Sequence, residues 1–335
     1  MTLLLQPYSY GFKGKLGYLG RLVRGMVLLR TSRWFIVDNA YLPIHVMPHR
    51  QATTVIQVWH AVGALKRFGW DSRRPLADPE RRFLHRHYDW VVCSSEATRA
   101  PYAAAFRIPP ERVVALGAPR VDQFADPAAV EAARRVVLAR YPALQGRRVV
   151  LVAPTFRGRG AAKRAAAHLD AEALRAALPA DHVLVLKSHP NLDPATTSGA
   201  GFDVVVDPVM PMNDLLAATD VLVTDYSSSV FEWAVLRRPL VLLVPDLDAY
   251  AADPGLYLDV GTEMIGTQVA DTEGVAAAIL ASPAGASQAG PGGAIAVEAF
   301  IERHLGPVDG RASERFVARF LGLDAGQDMG PGRRT

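Results

Sequence analysis

The sequence predicts an α/β fold made of two doubly wound, Rossmann-like halves of parallel strands. Three observations predict it. Apolar runs of strand length recur along the chain and are continuous rather than alternating, as in strands covered on both faces. Helix-like stretches lie between many of them, the pattern of a parallel sheet with helices on both sides. Polar groups suited to anions follow one run after another, and in doubly wound sheets the ligand sits beyond the carboxyl ends of the strands.

In chain order, strands are expected over 34–37, 55–59, 90–93 and 113–116, then over 149–153, 183–186, 203–206, 221–224 and 240–244. Helices are expected over 96–106, 130–140, 170–178, 213–218 and 229–236, with closing helices over 298–304 and 313–321. The polar, Pro- and Gly-containing stretch 141–148 reads as a linker. It divides the chain into an N-terminal domain, 1–145, and a C-terminal domain, 146–323. The Ala/Gly/Ser/Pro-rich stretch 282–293 reads as a surface loop, and the tail 324–335 lacks a core-forming pattern and is expected to be disordered. Ahead of the first strand, 13–33 mixes Lys and Arg with apolar residues. Leu19, Leu22, Val23 and Met26 fall at helical spacing beside Arg21 and Arg24. Such a basic amphipathic helix is suited to an anionic membrane surface, and equally to packing on the domain with its arginines exposed. Several glycines weaken it as a free helix.

Bulk properties narrow the function. With 335 residues, half of them hydrophobic, the chain can build two full cores. One cysteine, Cys93, rules out an internal disulfide and suits a reducing compartment. No apolar run reaches the roughly 18 residues of a membrane span, and the N-terminus lacks the layout of a signal peptide. A net charge of +4 is compatible with anionic ligands, and no nucleic-acid-binding signature is present.

The chemistry lies at the strand exits. Run 55–58 is followed by Trp59-His60-Ala61-Val62-Gly63, and run 113–116 by Gly117-Ala118-Pro119-Arg120. Pro154-Thr155-Phe156-Arg157 follows 149–153, Lys187-Ser188-His189-Pro190 follows 183–186, and Asp225-Tyr226-Ser227-Ser228-Ser229 follows 221–224. Each of these alone reads as an ordinary loop, and the serines alone as a helix cap. Together they read as one anion site shared by the two halves, with the serine turn presenting hydroxyls and a helix N-terminus to phosphate. There is no nucleophile elbow G-x-S-x-G and no P-loop. The histidines, including His85 and His87, which read as solvent-facing helix residues, lack metal-ligand spacing, so neither a metal nor a cofactor is expected.

The motifs Gln57-Val58-Trp59-His60, Gly117-Ala118-Pro119-Arg120-Val121-Asp122, Ala153-Pro154-Thr155-Phe156-Arg157, Lys187-Ser188-His189-Pro190 and Thr224-Asp225-Tyr226-Ser227-Ser228 resemble those of the CDP-glycerol:poly(glycerophosphate) glycerophosphotransferase family, the teichoic-acid primases and polymerases. Order and spacing match over about two thirds of the chain, 33–257. Two departures stand out. The family pattern W-H-G-T-P becomes Trp59-His60-Ala61-Val62-Gly63, and the acidic residue after the serine turn is Glu232 in place of Asp.

The resemblance implies a fold of glycosyltransferase-B type with the active site between two domains. The implied reaction is transfer of a polyol phosphate, glycerol phosphate first, from a CDP-activated donor to a hydroxyl of a lipid-linked oligosaccharide or polymer, releasing CMP. It implies His60 as general base and His189 as partner of the leaving phosphate. Arg120, Pro154, Thr155, Lys187, Ser188, Ser227, Ser228 and Glu232 are the expected donor-binding residues, Glu232 at the ribose hydroxyls. Asp225 and Arg157 are expected in support. The implied location is the cytoplasmic face of the cell membrane, peripherally bound. Two alternatives stay open: a nucleotide-sugar glycosyltransferase on the same fold, and an inactive membrane-docked binding protein.

Overall fold

The computed structural model describes residues 1–4, 12–73, 84–158, 164–165, 168–189, 198–282 and 293–322. Most of the 282–293 loop and the 324–335 tail lie outside them, as does Pro190.

The N-terminal half holds a sheet of four parallel strands, β1 (Trp34–Val37), β2 (Thr54–Gln57), β3 (Trp90–Cys93) and β4 (Val113–Ala115), ordered as in the chain. Before and among them lie α1 (Phe12–Thr31), α2 (Leu42–Val46) and α3 (Glu96–Phe106). Next, α4 (Pro127–Arg140) begins where Asp126 accepts a 2.9 Å bond from the Ala128 N–H and Pro127 fills the first turn.

The C-terminal half opens with β5 (Arg148–Ala153), from which a short antiparallel pair branches, β6 (Phe156–Arg157) and β7 (Arg164–Ala165). There follow α5 (Ala171–Ala177), β8 (His182–Leu186), β9 (Val204–Val205), α6 (Met212–Ala218) and β10 (Val221–Thr224). Then come α7 (Ser229–Leu236), β11 (Leu240–Leu243), α8 (Leu247–Ala252), α9 (Val260–Glu263), β12 (Thr267–Val269) and α10 (Thr272–Leu280). The last elements are α11 (Gly293–Leu305) and α12 (Ala312–Phe316).

The second sheet has six parallel strands in the order β12-β11-β10-β5-β8-β9. The chain runs outward from β5 through β8 and β9, then returns to β5's other side and runs outward again from β10. The direction reverses between β5 and β10, which is where an open α/β sheet forms its ligand crevice. Along β5, Val149, Leu151 and Ala153 enter one core while Val150 and Val152 enter another. Both faces are buried, so the run is apolar throughout instead of alternating.

The halves share packing. Val62, Leu65, Val121 and Phe124 of the first join the main core of the second. The backbone at 254–257 reaches the first half, with Arg67 N–H bonded to Gly255 O at 2.9 Å and Tyr257 N–H to Leu65 O at 2.8 Å. The 141–148 stretch is anchored rather than free, because Leu144 is fully buried in the same core. The α12 helix returns to the first sheet, where Phe316 packs with Ile56 and Val92. Asp122 holds its start, accepting from the Ala312 and Ser313 N–H groups at 3.0 and 2.9 Å.

Helix α1 forms despite its glycines, and one of them is required. A Cβ at Gly25 would stand 1.8 Å from the Tyr41 hydroxyl oxygen. Leu16, Leu19, Val23 and Val27 form an exposed stripe, whereas Leu22 and Met26 are half-buried and Leu29 is fully buried. Of the expected face Leu19, Leu22, Val23 and Met26, Leu19 and Val23 lie on the exposed stripe, whereas Leu22 and Met26 turn toward the protein. No helix of the described residues is long and apolar enough to cross a membrane.

Candidate active site

The strand expected over 55–59 stops at Gln57, because Trp59 turns into the left-handed region at φ +52°. That conformation is costly for a large side chain and persists only when its surroundings hold it. Here the Trp59 N–H donates to the Gln57 side-chain oxygen at 2.8 Å, and the indole stacks on Phe68 at 4.9 Å. The turn projects His60 outward, with enough exposed surface for a substrate to reach it. Its Nδ1 lies 3.3 Å from the Asp38 carbonyl. A carbonyl can only accept, so Nδ1 carries the proton and the basic lone pair is on Nε2. Desolvation by the protein packed around the ring lowers the His60 pKa, aided by the Arg120 guanidinium and opposed by the Asp38 carbonyl and carboxylate.

The Gly63 shift from the family pattern has a local reason. Gly63 is left-handed, φ +65°, and a Cβ there would meet the Phe231 ring at 2.5 Å. The carbonyls of Ala61 and Gly63 both accept from the buried Tyr102 hydroxyl, at 2.9 and 3.0 Å.

Arg120 links the two halves. Its Nη1 donates to the His60 carbonyl, and its Nε stands 3.0 Å from Glu232 Oε1 on α7. The Asn213 side chain on α6 donates to the Arg120 carbonyl at 2.7 Å. Glu232 is 3% exposed; its Oε1 is paired with Arg120, and its Oε2 is buried with no hydrogen-bond partner among the described residues. Burial raises the Glu232 pKa and Arg120 pulls it back down. The Arg120 side chain is 42% exposed, leaving N–H donors open to a ligand.

A second cluster sits at the switch point. Asp225 at the end of β10 accepts from the Thr155 N–H and hydroxyl, each at 2.8 Å, and from Arg157 Nη1 at 2.9 Å. Arg157 also makes a fork to Asp246, at 2.8 and 3.2 Å, over the ring of Tyr250. Tyr226 donates to Asp246 at 3.1 Å. Asp225 thus orients the site through Thr155 and Arg157, rather than through its own turn.

Arg157, expected in support, and Lys187, expected at the donor, are both engaged by groups of the protein. Arg157 is neutralised by two carboxylates. Lys187, 6% exposed, gives its ammonium donors to the carbonyls of Asp207, Pro208 and Met210 at 2.8–2.9 Å. Its pKa is lowered by burial, against the opposing charge of Asp207.

Hydroxyls remain. Ser227 and Ser228 are half-buried ahead of α7. The Ser227 and Ser229 hydroxyls share a 2.8 Å bond, whereas the Ser228 side chain makes no cap bond to the helix. Pro154 and Ser188 border a cavity of about 420 Å³ with Asp225. His189 packs edge-on against Phe156, ring centres 4.8 Å apart. His85, read as solvent-facing, is buried among aromatic rings; His87 is exposed. Asn213, Asp246 and Gln57 were not singled out as site residues. Gln57 alone had a signal, standing three positions before His60 in its motif. Among the described residues, no group of His, Cys, Asp or Glu is placed to hold a metal ion.

Comparison with known proteins agrees with these motifs. The family model described as CDP-Glycerol:Poly(glycerophosphate) glycerophosphotransferase matches residues 15–322. The chain is 31% identical to the teichoic acid ribitol-phosphate primase of Bacillus spizizenii, over 96% of this chain and 84% of that protein. It is 29% identical to the teichoic acid glycerol-phosphate primase of Bacillus subtilis, over 70% of this chain and 61% of that one. It spans about half the length of the Bacillus spizizenii poly(ribitol-phosphate) polymerase, 47% of it, at 32% identity. The solved wall teichoic acid polymerase TagF shares the fold, with a TM-score of 0.67 at 23% identity over 82% of this chain and 68% of that one. With the family model covering nearly the whole chain, this protein belongs to the CDP-glycerol:poly(glycerophosphate) glycerophosphotransferase family.

Proposed function

We propose that this protein transfers a polyol phosphate from a CDP-activated donor to a hydroxyl of a lipid-linked or polymeric acceptor, in teichoic-acid-like polymer synthesis. The reading takes the two halves as domains of glycosyltransferase-B type, divided at 145/146, with α12 returned to the first. The observation that carries it is the bridge through Arg120, which ties the turn bearing His60 in one half to Glu232 in the other. A titratable base and an open guanidinium therefore meet where the halves meet.

His60 Nε2 takes the proton from the acceptor hydroxyl as its oxygen attacks the β-phosphorus of the CDP-polyol. The bond to the bridging oxygen breaks and CMP leaves, with His189 donating to the leaving phosphate. Because Arg157 and Lys187 are occupied, phosphate charge falls to Arg120, to the Ser227 and Ser228 hydroxyls, and to the N–H groups at the start of α7. Relatives named for ribitol phosphate and for glycerol phosphate both match this chain. The donor assay therefore offers CDP-glycerol, CDP-ribitol and UDP-sugars with a lipid-linked acceptor, read by mass spectrometry. The expected product gains one or more polyol phosphates with release of CMP. Transfer of a sugar, or no transfer from either CDP-polyol, would reject the reading.

The same reading places the enzyme at the cytoplasmic membrane face, docked through α1. The exposed stripe Leu16, Leu19, Val23 and Val27, with Arg24 and Arg30 exposed beside it, suits an anionic interface. Val23→Glu with Val27→Glu is expected to abolish co-sedimentation with anionic liposomes, while activity on a short soluble acceptor persists. Retained, salt-insensitive sedimentation would mean that α1 serves only the protein.

A further inference from the structure

The bonds around Gln57 point to a function for a residue that touches no reacting group. Gln57 is 0% exposed at the end of β2. The Trp59 N–H can only donate, so the Gln57 side-chain oxygen must face it, at 2.8 Å. The amide nitrogen then donates to the Asn39 carbonyl at 3.1 Å and to the Tyr88 hydroxyl oxygen at 3.0 Å. With that oxygen accepting, the Tyr88 proton is free to donate to His85 Nδ1, 3.2 Å away. One side chain thus grips both supports of His60: the strained turn at Trp59 behind it, and the 38–39 loop whose Asp38 carbonyl holds its Nδ1.

We infer that Gln57 is the positioning residue of His60, fixing the ring's direction and the tautomer that leaves Nε2 basic. The inference rests on the proposal that His60 is the base, but the hold on the ring can be measured without activity. The titratable groups around Gln57 are His85 and Tyr88, with His45 5.8 Å from the His85 ring, and Asp38 on the gripped loop. Burial keeps His45 and His85 neutral, pushed down to about 4 and about 3, so they do not change charge near neutrality.

The test compares wild type with Gln57→Met, which keeps the shape and removes the bonds. Nitrogen NMR of labelled histidine is expected to show His60 as the Nδ1–H tautomer in wild type and as a mixture in the variant. Turnover should fall about ten- to a hundredfold, the scale of a misplaced reacting group. The donor KM should stay within about twofold, since the donor's binding is not altered. Gln57→Glu supplies a second arm if Gln57→Met does not fold. Protonated, the new carboxyl can still donate to Asn39. Ionised, it cannot, so its kcat should fall with rising pH where the wild type is level. Unchanged His60 signals with unchanged kcat in a folded variant, or kcat and KM that shift together, would overturn the inference. Should His60→Ala retain turnover, the functional reading fails instead, and the NMR result still decides whether Gln57 holds the ring.

Discussion

Turnover in His60→Ala and in His189→Ala is expected to fall at least about a hundredfold each, the usual scale for an acid–base group. Both histidines follow strands rather than sit within them, and neither belongs to a hydrophobic core, so the variants should melt close to wild type. The pH dependence adds a sign. His60 acts as a base only when neutral, and desolvation lowers its pKa, with Arg120 adding to the effect. The acidic limb of kcat/KM should therefore lie below the ordinary histidine value near 6.5. It should vanish in His60→Ala along with most of the rate. Near-wild-type turnover in either variant would remove that histidine from the mechanism.

Replacing Arg120 should cost both activity and stability. In Arg120→Met the carboxylate of Glu232 is left buried with its partner gone, whereas the Asn213 bond to the residue 120 backbone carbonyl is kept. Breaking a fully buried pair costs roughly 3–5 kcal/mol; because the Arg120 side chain is 42% exposed, about 2 kcal/mol is expected here. The dependence on pH follows from the direction of the Glu232 shift. Burial raises its folded-state pKa, so ionised Glu232 weighs against the folded state as pH rises through that value. Arg120 offsets this in the wild type only. The stability deficit of Arg120→Met should then be small at acid pH, where Glu232 is protonated in both proteins, and should grow toward neutral and alkaline pH. Denaturant unfolding at several pH values measures it. A deficit that is constant with pH would mean that Arg120 does not stabilise the Glu232 carboxylate.

Much of the fold was legible in the residues themselves. Runs such as Trp90–Cys93 and Val221–Thr224 became strands at the expected positions, because strands covered on both faces must be apolar throughout; Trp34–Val37 did so as an edge strand with Ile36 exposed. The short elements were less legible. Strand β12 is a three-residue strand, mostly exposed, and α2, α8 and α9 are too brief for periodicity to register. The motifs identified the family, since hydroxyls and histidines after apolar runs are visible without coordinates.

What the sequence by itself determined is thus which residues lie at the strand exits and which chemistry they can carry. Which of them remain available to a ligand was decided only by the tertiary structure. Lys187 and Arg157 look like phosphate ligands in sequence, but packing encloses them and a buried charge must be paired or hydrogen-bonded. Their partners are distant along the chain, and sheet order chooses some of them. Because β10 lies against β5, Asp225 faces Thr155 and Arg157. Because the halves share a core, Arg120 reaches both His60 and Glu232. No local pattern encodes those pairings, since they arise from strand neighbours that are far apart in sequence.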